Sequence, residues 1–200
     1  MRNHLRQILL ILFLVNIGYG KYPDAVSLNG MVVSSNELAS QAGVEVLKNG
    51  GNAIDAAVAV SFALAVVHPG AGNIGGGGFM VIRTAEGDVT TIDFREKAPS
   101  SAYRDMFLDD SLNVIEGKSW STALASGIPG SVSGMWLAHE KYGTKSWQSL
   151  ISPSVSLARY GFDLDLLNCS YLNSKKYKSF LSNDSETKKI FTKSSDYQIG

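Results

Sequence analysis

Between Ala53 and Val67 the chain runs through fifteen consecutive residues whose only polar side chains are Asp55 and Ser61. A helix that is apolar on every side has to be covered on every side. Spanning a bilayer takes about 20 such residues, so this shorter segment is expected inside a layered protein core. Asn52, with Asp55 three residues on, has the spacing of a capping box, which satisfies orphan N–H groups at a helix start, and Pro69 ends the helix. The rest of the chain must supply the elements that wrap it.

Candidates for those elements lie on both sides. Met31–Val33 is a short apolar run with strand character. Ser34 and Glu37 repeat the capping-box spacing, and Leu38, Ala42 and Val46, with Ala39 and Leu47, recur at helical intervals up to Gly50-Gly51. Further on, Phe79–Thr84 and Val89–Phe94 read as paired strands about the turn Ala85-Glu86-Gly87-Asp88. Ser131–Tyr142 reads as a helix closing at Gly143. Ser152-Pro153 has the form of a cap and first-turn proline ahead of Val155–Tyr160, with Gly161 behind it. From Asn173 to Gly200 the chain is polar and rich in lysine and serine, with short helices expected. No internal repeat and no linker divides the chain.

Charge and cysteine content exclude several functions. Eighteen basic side chains face eighteen acidic ones, and charged residues make up only 18% of the 200. That leaves no electrostatic footprint for nucleic acid or an anionic membrane surface. One cysteine, Cys169, forms neither an intrachain disulfide nor a thiolate zinc cluster. His4, His68 and His139 are scattered. His139-Glu140 opens like a zinc-protease motif, but Gly143 stands where its second histidine belongs. Neither a metal nor a cofactor is expected.

The N-terminus has the layout of a signal peptide. Arg2 and Arg6 precede the apolar run Ile8–Val15, and Gly18 and Gly20 then occupy alternate small positions before Lys21. Residues 1–20 are therefore expected to be a removable leader, with residues 21–200 the mature chain in a periplasmic or secreted location. Asn168-Cys169-Ser170 and Asn183-Asp184-Ser185 match the glycosylation sequon, a triplet that chance produces often, and carry no weight here.

Chemistry-bearing motifs are few. Gly70-Ala71-Gly72-Asn73-Ile74-Gly75 matches the dinucleotide pattern GxGxxG, but a helix precedes it and a strand follows, the reverse of what a pyrophosphate site needs. Six glycines between Gly70 and Gly78 instead suit positive φ angles and close backbone approach between a buried helix and a sheet. Gly130-Ser131-Val132-Ser133-Gly134 is not a nucleophile elbow, since Val132 holds its centre, and Ser185 with Lys188 makes only a weak SxxK match in a polar tail. Cys169 suits a small buried position better than a reactive one. His68, at the end of the buried helix, reads as structural. Arg95 follows the second strand on the same face as Val89, Thr91 and Asp93. A guanidinium at a strand end is able to grip a carboxylate bidentately, although the local sequence Arg95-Glu96-Lys97 also suits a solvated turn.

Several segments together resemble the γ-glutamyltransferase (γ-glutamyl transpeptidase, glutathione hydrolase) family. They are Asn-Gly-Gly-Asn-Ala-Ile-Asp from Asn49, continuing to Ala59; Val-His-Pro-Gly from Val67, continuing to Met80; Asp-Phe-Arg-Glu-Lys-Ala-Pro from Asp93; Gly-Ile-Pro-Gly-Ser-Val from Gly127; and Leu-Ala-Arg-Tyr-Gly-Phe from Leu157. The likeness runs from about Val26 to the end. It implies an α+β, N-terminal-nucleophile hydrolase fold, an αββα sandwich that would be incomplete in this chain. It also implies γ-glutamyl donors such as glutathione, with water, an amino acid or a peptide as acceptor. In this family the precursor cuts itself and a threonine becomes the N-terminus of the small subunit; its hydroxyl attacks the γ-glutamyl amide, its amine serves as base, and backbone N–H groups hold the oxyanion. Arg95 matches the family's clamp on the substrate α-carboxylate. No residue here matches the nucleophilic threonine, the oxyanion glycines or the amino-group ligands, so no catalytic residue is assigned.

The expectation is therefore the N-terminal part of a large subunit, residues 21–200, inactive alone and partnered by a small subunit from the same precursor. Two other readings compete. A sister acylase of the same fold would cleave another amide, against which the amino-acid clamp Arg95 argues. A short non-catalytic binding protein would have a reading frame that ends at codon 200.

Overall fold

The computed structural model describes residues 25–200; the leader assigned to residues 1–20 lies outside the described residues. Contacts divide the chain into two units, 1–31 and 32–200. Of the first, residues 25–31 are exposed and carry a bend at Leu28-Asn29. The second holds helices α1 (Glu37–Lys48) and α2 (Ala53–Val67), strands β1 (Phe79–Arg83) and β2 (Val89–Asp93), and helices α3 (Ser131–Tyr142), α4 (Trp147–Tyr160), α5 (Leu166–Asn173), α6 (Lys175–Leu181) and α7 (Ser185–Phe191). No described helix is long and apolar enough to cross a membrane.

Helix α2 is the hub, as its composition requires. Ala63 and Val67 pack on Ala39 and Ala42 of α1. Val58 meets Met135 of α3 and Leu150 of α4, and Ile54 meets Ile82, Ile92 and Ala138. Coverage falls short of the all-round burial expected: Ala57, Ser61, Phe62, Ala65 and Val66 are only half-buried among the described residues.

Both ends of α2 are tied by polar side chains. At its start Asn52 accepts from the N–H groups of Ile54 and Asp55, and Asp55 accepts from Asn52 N–H at 3.0 Å, completing the expected capping box. The same carboxylate, wholly buried, accepts from Thr144 N–H at 3.0 Å, Thr144 Oγ1 at 2.6 Å and Lys145 N–H at 3.3 Å in the α3–α4 loop. At the far end Asn168 donates to the carbonyl of Val67 at 2.8 Å. A buried helix terminus leaves N–H and C=O groups that only such partners satisfy.

Three local expectations need correcting. Met31–Val33 forms no strand; among the described residues the sheet consists of β1 and β2 alone. The cap of α1 is Asn36 and not Ser34: Asn36 Oδ1 accepts from Leu38 N–H at 2.9 Å while its amide reaches Asp165 Oδ2 at 3.0 Å and the Val67 carbonyl at 3.4 Å. Long-range anchoring thus decided between two competent caps. Pro153 is not at a helix start either, since α4 begins at Trp147 behind the cap Ser146. Burial of Leu150 and the edge-on contact of Trp147 with Phe62, at 5.4 Å between centroids, hold the extra turns. They offset the hydrogen bond that proline cannot donate.

The hairpin is antiparallel in the register Phe79↔Asp93, Val81↔Thr91 and Arg83↔Val89, with Gly87 (φ +100°) in the turn. Alternation puts Ile82 and Ile92 on the helices and leaves Phe79, Val81 and Val89 exposed on the other face. Three short helices close the chain. Asn173 exchanges two 2.8 Å bonds with Tyr197, and Lys178 pairs with Asp196.

Candidate functional site

Two glycine-containing segments, far apart in sequence, meet around the peptide of Arg95. Beyond β2 the chain continues extended. Phe94 exchanges backbone hydrogen bonds with Gly78 on one side, at 3.0 and 3.3 Å, and Lys97 exchanges them with Ile128 on the other, at 2.8 and 3.1 Å. The Gly76 carbonyl accepts from the N–H groups of Gly130 and Ser131 at 2.8 and 2.9 Å, and Asn73 Oδ1 accepts from Gly76 N–H and Ser131 Oγ, each at 2.8 Å. The glycine-rich segment, the strand end and the start of α3 are thereby knitted into one unit.

Only glycine permits this spacing. A Cβ on Gly77 would sit 2.6 Å from the Phe94 carbonyl oxygen and 2.8 Å from Arg95 Cα. On the opposite side a Cβ on Gly130 would run into the same carbonyl, and one on Gly134 into the Phe94 ring. Gly72 is packed as tightly on the Leu64 carbonyl. Close approach between helix and sheet is thus realised, but the positive φ angles expected in the segment are not: the glycines with positive φ lie elsewhere, at Gly50, Gly87 and Gly161 among others.

Arg95 itself projects from this clamped strand with its side chain about two-thirds exposed. Its backbone N–H donates to Asp93 Oδ1 at 3.0 Å. Its Nε lies 3.7 Å from Glu96 Oε2, a loose, solvated pair that contributes little. The guanidinium carbon stands 5.9 Å from the centre of the Phe79 ring. The glycine-rich segment, Phe79, Phe94, Ser61 and Phe62 of α2 and the first turn of α3 line an open cleft of about 310 Å³. Phe79 touches both the cleft and the guanidinium. A clamped backbone with an exposed cationic fork beside the Phe79 ring is an arrangement suited to receiving a carboxylate.

The other sequence candidates fall away from this place. His68 is the C-cap of α2 and donates its backbone N–H to the Leu64 carbonyl. Cys169 is buried in α5. Ser185 and Lys188 lie on α7 in the tail. His139 donates from Nε2 to the Lys145 carbonyl at 2.7 Å and packs against Trp136 and Trp147. Asn168 is 1% exposed, which closes that sequon to a glycan. Among the described residues no three His, Cys, Asp or Glu side chains gather as a metal site. Sequence reasoning missed Phe79 and the glycines at the start of α3 as neighbours of Arg95; the signal for the first is the hairpin register, which sets Phe79 opposite Asp93.

The model of the γ-glutamyltranspeptidase family matches residues 39–198. This chain belongs to that family. A glutathione hydrolase proenzyme of Escherichia coli K12 is 52% identical over 182 residues, covering 88% of this chain and 31% of the relative. Another, of Pseudomonas sp. strain A14, is 63% identical over 137 residues, covering 68% and 24%. The crystal structure of Helicobacter pylori γ-glutamyltranspeptidase superposes with a TM-score of 0.84 at 48% identity, over 89% of this chain and 51% of that one. The fold is the α+β, N-terminal-nucleophile hydrolase fold of these transpeptidases. The chain spans about a quarter to a third of the length of the curated relatives it matches.

Proposed function

We propose that this chain supplies the carboxylate-recognition site of an enzyme that transfers or hydrolyses γ-glutamyl groups, with Arg95 as the clamp on the donor's α-carboxylate. Glutathione and other γ-glutamyl compounds are the donors; water, an amino acid or a peptide is the acceptor. The observation that carries the reading is the convergence of Gly76–Gly78, Phe94–Lys97 and Ile128–Ser131 on the Arg95 peptide, in a chain of this family.

The division of labour follows. Arg95, fixed at its backbone and free at its fork, orients the glutamyl head group. The nucleophilic threonine, in the part of family members that has no counterpart here, attacks the γ-carbonyl carbon. Its hydroxyl proton passes to its own α-amine and on to the leaving amine as the amide C–N bond breaks. Water or an amine acceptor then cleaves the γ-glutamyl ester and returns the proton to the threonine. Orientation of this kind converts an encounter into a near-unimolecular reaction. The threonine arises by self-cleavage of a precursor, and the leader at residues 1–20 exports that precursor to the periplasm or beyond.

Hydrolysis of γ-glutamyl-p-nitroanilide by the protein from the full reading frame tests this. Arg95→Lys keeps the charge but loses the planar fork, removing a charged hydrogen bond of about 1.5–3 kcal/mol, a loss of roughly ten- to 150-fold in kcat/KM. An unchanged kcat/KM removes Arg95 from the site. Residues 21–200 alone are expected to release no product; turnover by them refutes the division of labour.

A further inference from the structure

We propose that Phe79 is a positioning residue for Arg95, holding the guanidinium where the donor's carboxylate meets it; the inference rests on the reading of Arg95 given above. Phe79 opens β1 directly opposite Asp93. Arg95 lies two residues beyond Asp93 and so on the same face, which brings the guanidinium over the ring at 5.9 Å. The ring also lines the 310 Å³ cleft beside Phe94 and Met80.

Among the described residues Phe79 is not held by core packing. Phe79 is 65% exposed and belongs to none of the buried clusters, whereas its neighbours Met80 and Ile82 do. Among the described residues the Arg95 guanidinium makes no hydrogen bond within the protein, and its one ionic neighbour, Glu96, stands at 3.7 Å in solvent. A long unrestrained side chain loses rotamer freedom each time it closes on a ligand. A ring face beneath the guanidinium narrows that freedom beforehand without occupying any of its N–H donors in a hydrogen bond.

The test is steady-state kinetics of the full-length protein on γ-glutamyl-p-nitroanilide, with circular dichroism as a check on folding. Phe79→Leu is expected to raise KM about two- to five-fold with kcat unchanged, the scale of a solvent-exposed cation–π contact. Phe79→Tyr and Phe79→Trp, which keep a ring face, are expected to hold KM at or below its original value, and they keep the test readable if the leucine variant folds poorly. In an Arg95→Gln background Phe79→Leu is expected to add nothing. An unchanged KM in Phe79→Leu, a fall in kcat alone, or equal losses in the leucine and ring-bearing variants overturns the proposal while leaving Arg95 in place. An Arg95→Gln variant with unaltered KM overturns the underlying reading instead.

Discussion

Asp55→Asn is the most informative single substitution in the scaffold. The carboxylate is fully buried and accepts from Asn52 N–H, Thr144 N–H, Thr144 Oγ1 and Lys145 N–H, joining the start of α2 to the α3–α4 loop. Burial pushes its pKa up, but the hydrogen bonds from Thr144, Asn52 and Lys145 outweigh it and hold the value below the ordinary 3.8. Asparagine keeps the shape and one acceptor. If its oxygen serves Thr144 and Lys145, its NH₂ group faces the Asn52 N–H, donor against donor. One buried N–H left without a partner costs about 1–3 kcal/mol, and losing the charge weakens the bonds that remain. The expected destabilisation is about 2–4 kcal/mol, a drop in Tm of roughly 4–15 °C for a domain of this size. Urea or thermal unfolding of the protein at pH 7 measures it.

The pH dependence supplies a second, independent check. A carboxyl group whose pKa is lower folded than unfolded stabilises the fold above its unfolded value, and the contribution fades as pH falls through the folded value. The gap between the parent and Asp55→Asn is therefore expected to be full at pH 5 and above and to narrow below about pH 4, as the parent's carboxylate protonates. A gap under 0.5 kcal/mol at pH 7, or one that stays constant from pH 6 down to pH 2.5, would refute the assignment.

Two further outcomes follow from the packing. Gly72→Ala is expected to cost well over 2 kcal/mol or abolish folding, because the new Cβ meets backbone at Leu64, whereas Gly75→Ala, with nothing within 4 Å, is expected to be neutral; equal soluble yields and melting temperatures for the two would contradict the close-approach reading. Pro153→Ala restores an N–H to the middle of α4, which already runs unbroken from Trp147 to Tyr160, so stability is expected to hold or rise slightly. A drop of more than about 1 kcal/mol on urea titration would mean that the proline ring makes packing contributions of its own.

How much was legible beforehand depended on the range of the forces involved. The hairpin, with its turn at Gly87, and the helix at Ser131–Tyr142 follow from alternation, turn chemistry and helical period, each a matter of a few neighbouring residues. The cap of α1 did not. Ser34 and Asn36 are both competent by local rules, and what separates them is the bond from Asn36 to Asp165, 129 residues away. Pro153 misled for the same reason: local rules put a proline at a helix start, while Leu150, buried, and Trp147, partly buried, pack against α2 and α3 and extend the helix past it. Arg95 was visible as a residue, but local sequence alone left it a solvated turn.

What the order of residues determined by itself was the buried helix, with Asn52 and Asp55 at its head, and the family likeness carried by its motifs. A segment with no polar face has no stable home except an interior, so composition was sufficient. The tertiary structure alone decided that Gly77, Gly130 and Phe79 surround one arginine. Those residues come together only when the hairpin register and the seat of α3 bring distant backbones within hydrogen-bond reach, and no short-range preference encodes which backbones those are.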